Sequence, residues 1–86
     1  MNNVKCRVYK GRKKEGSYLY VADDTATDDL PAALLSALGE LSLVMDLELS
    51  AERKLAREDV NVVMENLRGQ GFHLQMPPRE IERLDD

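Results

Sequence analysis

The chain of 86 residues has one cysteine, one histidine, no tryptophan, and only four aromatic residues, three tyrosines and a phenylalanine. Each scarcity excludes something. A lone Cys6 cannot close an internal disulfide, so the fold is expected to stand without covalent staples, as suits a reducing compartment. One Cys and one His fall short of the three or four N or S ligands a zinc site needs. Apolar runs such as "LPAALLSALG" are far shorter than the ~20 residues of a membrane span, and "MNNVKCRVYK" lacks the apolar segment of a signal peptide. A cytoplasmic protein with no membrane association is expected. The glycines at 11, 16, 39, 69 and 71 sit at turns and helix ends and make no phosphate loop, and "DDTATDD" lacks the glycine and terminal Glu of a calcium loop.

What is present is ordinary globular composition, 43% hydrophobic and 33% charged with a net charge of −4. A chain this short buries only about 60% of its unfolded surface, so it forms one domain with a thin core. The charge is unevenly spread. The first fourteen residues hold six bases and no acid, while the remainder holds six bases and all sixteen acids. The basic end could steer toward an anion; the acidic remainder would oppose adhesion to an extended polyanion.

"VKCRVYK" and "SYLYVA" alternate with the period of half-buried strands. Pairing Val8 with Leu19 and Cys6 with Val21 places Tyr9 opposite Tyr18 and Arg7 opposite Tyr20, with "GRKKEG" as the hairpin tip. "LPAALLSALG" predicts a helix with Pro31 in its first turn, an apolar stripe of Leu30, Ala33, Leu34, Ala37 and Leu38, and Gly39 as its stop. "LSLVMDLEL" alternates as a third strand, with Leu41, Leu43, Met45, Leu47 and Leu49 in and Ser42, Val44, Asp46 and Glu48 out. "SAERKLA" reads as a turn or short helical piece anchored by Leu55. "REDVNVVMENLRGQG" reads as a second helix with Val60, Val63, Met64 and Leu67 inward, and "FHLQM" as a fourth strand, with Phe72, Leu74 and Met76 in and His73 and Gln75 out.

The predicted fold is an α/β sandwich of order β-β-α-β-α-β: a four-stranded mixed sheet whose last two strands are parallel, with both helices on one face. A short C-terminal segment bearing Ile81 and Leu84 is expected on the other. Residues 1–78 form the domain and 79–86 a tail, partly helical or disordered.

"CRVYKG" followed by "KK", "YLYV", a helix opening "LP", and "RKLAREDVNVVMENLRGQGFHLQMPP" together resemble the YcgL-like domain, a family of small bacterial proteins of uncharacterised function. The resemblance runs from Cys6 to Pro78, and "GFHLQMPP" is its most specific element. It departs at Arg7, where a small or apolar residue is usual. It implies a compact α/β sandwich and no established activity, cofactor or catalytic residues.

On this pattern Cys6 lies in the inward row and His73 in the outward row, so no Cys-His pair forms and no enzymatic activity is expected. The candidate binding surface is Arg7, Tyr9, Arg12, Lys13, Lys14, Tyr18, Tyr20, His73 and Gln75. It offers a tyrosine-rich face for an unknown protein partner. The alternative is weak binding of RNA or another single strand, with phosphates at the hairpin tip and bases stacked on the tyrosines. The bland reading of "GRKK" is a solvated hairpin tip whose lysines blunt edge pairing. No cofactor is expected, and the chain is expected to be a monomer or a weak dimer.

Overall fold

The computed structural model describes residues 3–53, 55 and 58–76. The expected tail with Ile81 and Leu84, Pro77 and Pro78, and part of "SAERKLA" lie outside them. The strands are β1 (Val4–Gly11), β2 (Tyr18–Ala22), β3 (Leu41–Leu49) and β4 (Phe72–Gln75), and the helices α1 (Ala32–Leu38) and α2 (Val60–Gln70). A 3₁₀ turn, Thr27–Asp29, leads into α1. Element order and type follow the sequence pattern.

The sheet does not follow it in three respects. Its order is β3-β1-β2-β4, and every pairing is antiparallel. The expected mixed sheet, with β3 and β4 parallel, is therefore corrected: these strands run in opposite directions and form the two edges of the described sheet. Ten residues separate the end of β3 from the start of α2, so helix length alone did not fix the crossover.

The hairpin register is also one residue away from the expected one. Val8 faces Tyr20, Cys6 faces Ala22, Tyr9 faces Leu19 and Arg7 faces Val21. Alternation sets register only where one face is wet. Here Leu19, Tyr20, Val21 and Ala22 are all buried, because the sheet is covered on both sides and β2 is a continuous apolar run.

The third correction is that the helices take opposite faces. Under α2, Val60, Val63, Met64 and Leu67 pack with Cys6, Val8, Tyr20, Ala22 and Leu49. On the other side Leu30, Leu34, Leu35 and Leu38, from α1 and its approach, pack with Leu19, Val21, Tyr9, Leu41, Phe72 and Leu74. Strand β3 serves both cores because its register shifts between Val8 and Tyr9: Met45 faces Val8, Leu43 faces Tyr9, and Val44 is the extra residue. Leu47 and Leu49 thus reach the α2 side, while Leu41 reaches the α1 side.

Capping is local and matches composition. Asp59 accepts from the backbone N–H of Asn61 at the start of α2. Gly71 ends it at φ 91°, in the left-handed region where glycine costs least. Among the described residues no helix is long and apolar enough to cross a membrane.

Candidate functional site

The expected binding surface does not assemble. Tyr9 and Arg7 lie on the α1 face, whereas Tyr18, Tyr20, His73 and Gln75 lie on the α2 face, where Tyr20, His73 and Gln75 are buried. The outward row predicted for β4 is instead sealed beneath α2. Met76, expected inward, is exposed. The pattern placed Arg7 across from Tyr20; its guanidinium instead stands 5.7 Å over the ring of Tyr9 on its own strand, a cation-π contact of about 0.5–1 kcal/mol. The Nη2 of Arg7 also donates to the backbone carbonyls of Ala22 and Thr25, so this side chain ties down the loop after β2.

The hairpin tip is committed to α1. The backbone N–H groups of Arg12 and Lys13 donate to the carbonyls of Glu40 and Leu38. The Arg12 guanidinium pairs with Glu40 at 3.4 Å. The Nζ of Lys13 donates to the carbonyl of Ser36 in the last turn of α1, where a cation meets the negative end of the helix dipole. Its stem lies against Gly39, whose φ is 75°. Of the three positive charges of "GRKK", Lys13 thus meets the end of α1 and Arg12 forms an exposed pair with Glu40 just beyond it.

A polar cluster that the sequence did not announce sits between α2 and the sheet. The Nδ2 of Asn66 reaches His73 Nδ1 at 2.9 Å. Since an amide nitrogen can only donate, the ring proton belongs on Nε2, which lies 2.8 Å from Glu58 Oε1. Tyr20 stands opposite His73 on the neighbouring strand, meets its ring edge-on at 5.8 Å between centroids, and donates its hydroxyl to Gln75 Oε1 at 2.9 Å. Burial is the main cause that raises the Tyr20 pKa, with Glu58 and Cys6 adding to it. Both ring nitrogens of His73 are occupied, so the imidazole offers no free base. Glu58 and Asn66 were missed because His73 was assigned to a face without a helix; Asn66, one turn from α2's end, was the available signal.

Cys6 and His73 do share a face, contrary to expectation. Strands β1 and β4 are separated by β2, however, which puts their backbones about 9.6 Å apart across the sheet, beyond hydrogen-bond reach. Burial also pushes the Cys6 thiol up to about 11, against a smaller opposing influence from Arg53, so it is protonated at neutral pH and a poor nucleophile. A depression of about 690 Å³ mixes Asp23 and Asp24 with Lys5 and Arg68 and touches neither Cys6 nor His73. Among the described residues no group of three or more His, Cys, Asp or Glu is placed to hold a metal ion.

The remaining conspicuous surface is β3. It is an edge strand of nine residues, and Leu43, Val44 and Met45 are 57%, 42% and 48% exposed at its middle. The pattern assigned Leu43 and Met45 to the core. The run "LVM", which breaks the polar row at Val44, was the signal that the strand changes face there.

A small antiparallel α/β sandwich with a helix on each face is the class these observations define. The chain belongs to the YcgL family: the YcgL domain model matches residues 6–78. It is 48% identical over 80 residues to a YcgL domain-containing protein of Pseudomonas fluorescens SBW25, covering 93% of this chain and 82% of the relative. With the same coverage it is 48% identical to one from Stutzerimonas stutzeri A1501 and 51% identical to one from Pseudomonas aeruginosa LESB58. These names carry no activity.

Proposed function

We propose that this protein works by contact rather than catalysis, as a protein-interaction module whose docking surface is the free edge of β3. The observation that carries the reading is the exposed apolar trio Leu43, Val44 and Met45 on a strand that no other described strand pairs on its outer side. An edge presents unpaired backbone N–H and C=O groups, a template for another strand. Large apolar side chains add the burial that backbone hydrogen bonds alone do not supply. Both ring nitrogens of His73 are engaged and the Cys6 thiol is protonated, which favours contact over catalysis. The dock expected on a tyrosine-rich face moves to the edge, because each sheet face is already covered by a helix.

The test is a photo-crosslinking side chain at Val44 in the living cell, with one at the exposed Asn61 on α2 as control. Adducts at Val44 and none at Asn61 are expected; no adduct at Val44 to any protein would end this reading.

A further inference from the structure

Resting on that reading of the β3 edge, we infer that its occupant is a second copy of this chain, paired antiparallel through β3 about a two-fold axis near the Leu43–Val44 bulge.

Three features favour a second copy over an arbitrary strand. The apolar trio lies at the middle of the nine-residue strand, so a two-fold there sets each copy's apolar centre on the other's. The register shift at Val44 twists the edge away from a regular ladder, which blunts open-ended addition. A second copy carries the same irregularity at the same place, and only a two-fold through it matches bulge with bulge.

Charge supplies the third. Gly11 pairs with Leu41, so the basic hairpin tip that follows it stands at the β3 N-terminal end. Asp46 and Glu48 are exposed toward the C-terminal end. Antiparallel pairing therefore sets the end of β3 nearest the basic hairpin tip of each copy against the end that carries Asp46 and Glu48 of the other, an attraction screened over about 10 Å at 0.1 M salt. A parallel arrangement would set like charge against like. The pairing consumes both β3 edges and closes, giving one eight-stranded sheet. An edge-to-edge contact of this size falls below about 1,200 Å² of buried surface, the range of weak and reversible association.

The test is sedimentation velocity of the full chain from about 10 µM to 1 mM, with circular dichroism on every variant. A monomer-dimer equilibrium is expected, weakening as salt rises. Met45→Lys and Val44→Lys, which each place two like charges at the symmetric centre, are expected to lower association at least tenfold. Lys14→Glu and Glu48→Lys are each expected to weaken it several-fold and to restore it when combined in one chain. A monomer throughout this range overturns the inference, as does a dimer indifferent to Met45→Lys and Val44→Lys in folded protein. Failure of the combined variant to recover overturns the antiparallel arrangement. The crosslink at Val44 separates the two levels: adducts only to other proteins remove the second copy and leave the contact reading standing, while no adduct removes both.

Discussion

His73 donates from Nε2 to Glu58 Oε1 across 2.8 Å while buried beneath α2. Together with the Asn66 amide on the other ring nitrogen, this bond fixes the imidazole between the start of α2, its penultimate turn and strand β4. The only histidine of the chain is thus a structural joint.

Removing the ring should leave Glu58 and Asn66 without their partner and open a cavity. His73→Ala is expected to cost about 2–4 kcal/mol, read as a lower urea midpoint at unchanged slope. Glu58→Gln keeps an acceptor oxygen for Nε2 and should cost less than about 1 kcal/mol. Equal losses for the two variants would count against the hydrogen-bonded role.

Two glycines should respond in opposite directions. A Cβ on Gly11 would lie 2.8 Å from both the Cβ and the carbonyl oxygen of Leu38, so Gly11→Ala must push β1 off the end of α1. A loss of about 1–3 kcal/mol is expected. A Cβ on Gly69 meets nothing within 4 Å. Gly69→Ala, inside α2, should gain about 0.5–1 kcal/mol. Thermal melts separate them, at about 4–8 °C per kcal/mol for a domain of this size.

Alkaline stability depends on Cys6. Its thiol titrates near 9.0 when unfolded and is raised to about 11 in the fold, first by burial. Between those values the unfolded chain binds fewer protons, so unfolding becomes easier as pH rises. The thiol's contribution is complete below pH 9 and lost by about pH 11, with Tyr20, also raised by burial, acting in the same sense above the ordinary tyrosine range. A decline on the order of 1–2 kcal/mol is expected. Cys6→Ala should flatten its lower part, and an unchanged profile in that variant would exclude the thiol as the cause.

Nucleic-acid binding through the hairpin should be feeble. Arg12 is paired with Glu40 and Lys13 with the end of α1, and the three tyrosines are divided between two faces. With one or two phosphate contacts the slope of log K against log salt for a single strand should be no steeper than about −1.4. Fluorescence anisotropy with a labelled oligonucleotide measures it. A slope near −3, abolished by Lys13→Glu with Lys14→Glu in folded protein, would restore the nucleic-acid reading.

Much of the secondary structure was legible because it is written locally. Amphipathic spacing in "VNVVMENL" buried Val60, Val63, Met64 and Leu67 as expected, and Gly39 and Gly71 ended their helices through positive φ. Site residues were less legible. Period-2 alternation says which side chains share a face but not which faces are dry, and in "YLYVA" every position but Tyr18 is buried. An apolar residue in that strand therefore gives no vote between registers.

By itself, then, the sequence determined the order and kind of the elements, the helix stops at Gly39 and Gly71, the family and the absence of a second cysteine, since each is written in the chain or depends on neighbours a few residues apart; Gly69, expected at a helix end, lies inside α2. Only tertiary structure decided that β3 and β4 are opposite edges of the described sheet, that the helices cover opposite faces, that His73 is sealed against Glu58, and that Leu43, Val44 and Met45 are exposed along an edge strand. Those outcomes depend on contacts between distant segments, and the bulge at Val44 exchanges inside for outside with a single extra residue that alternation cannot register.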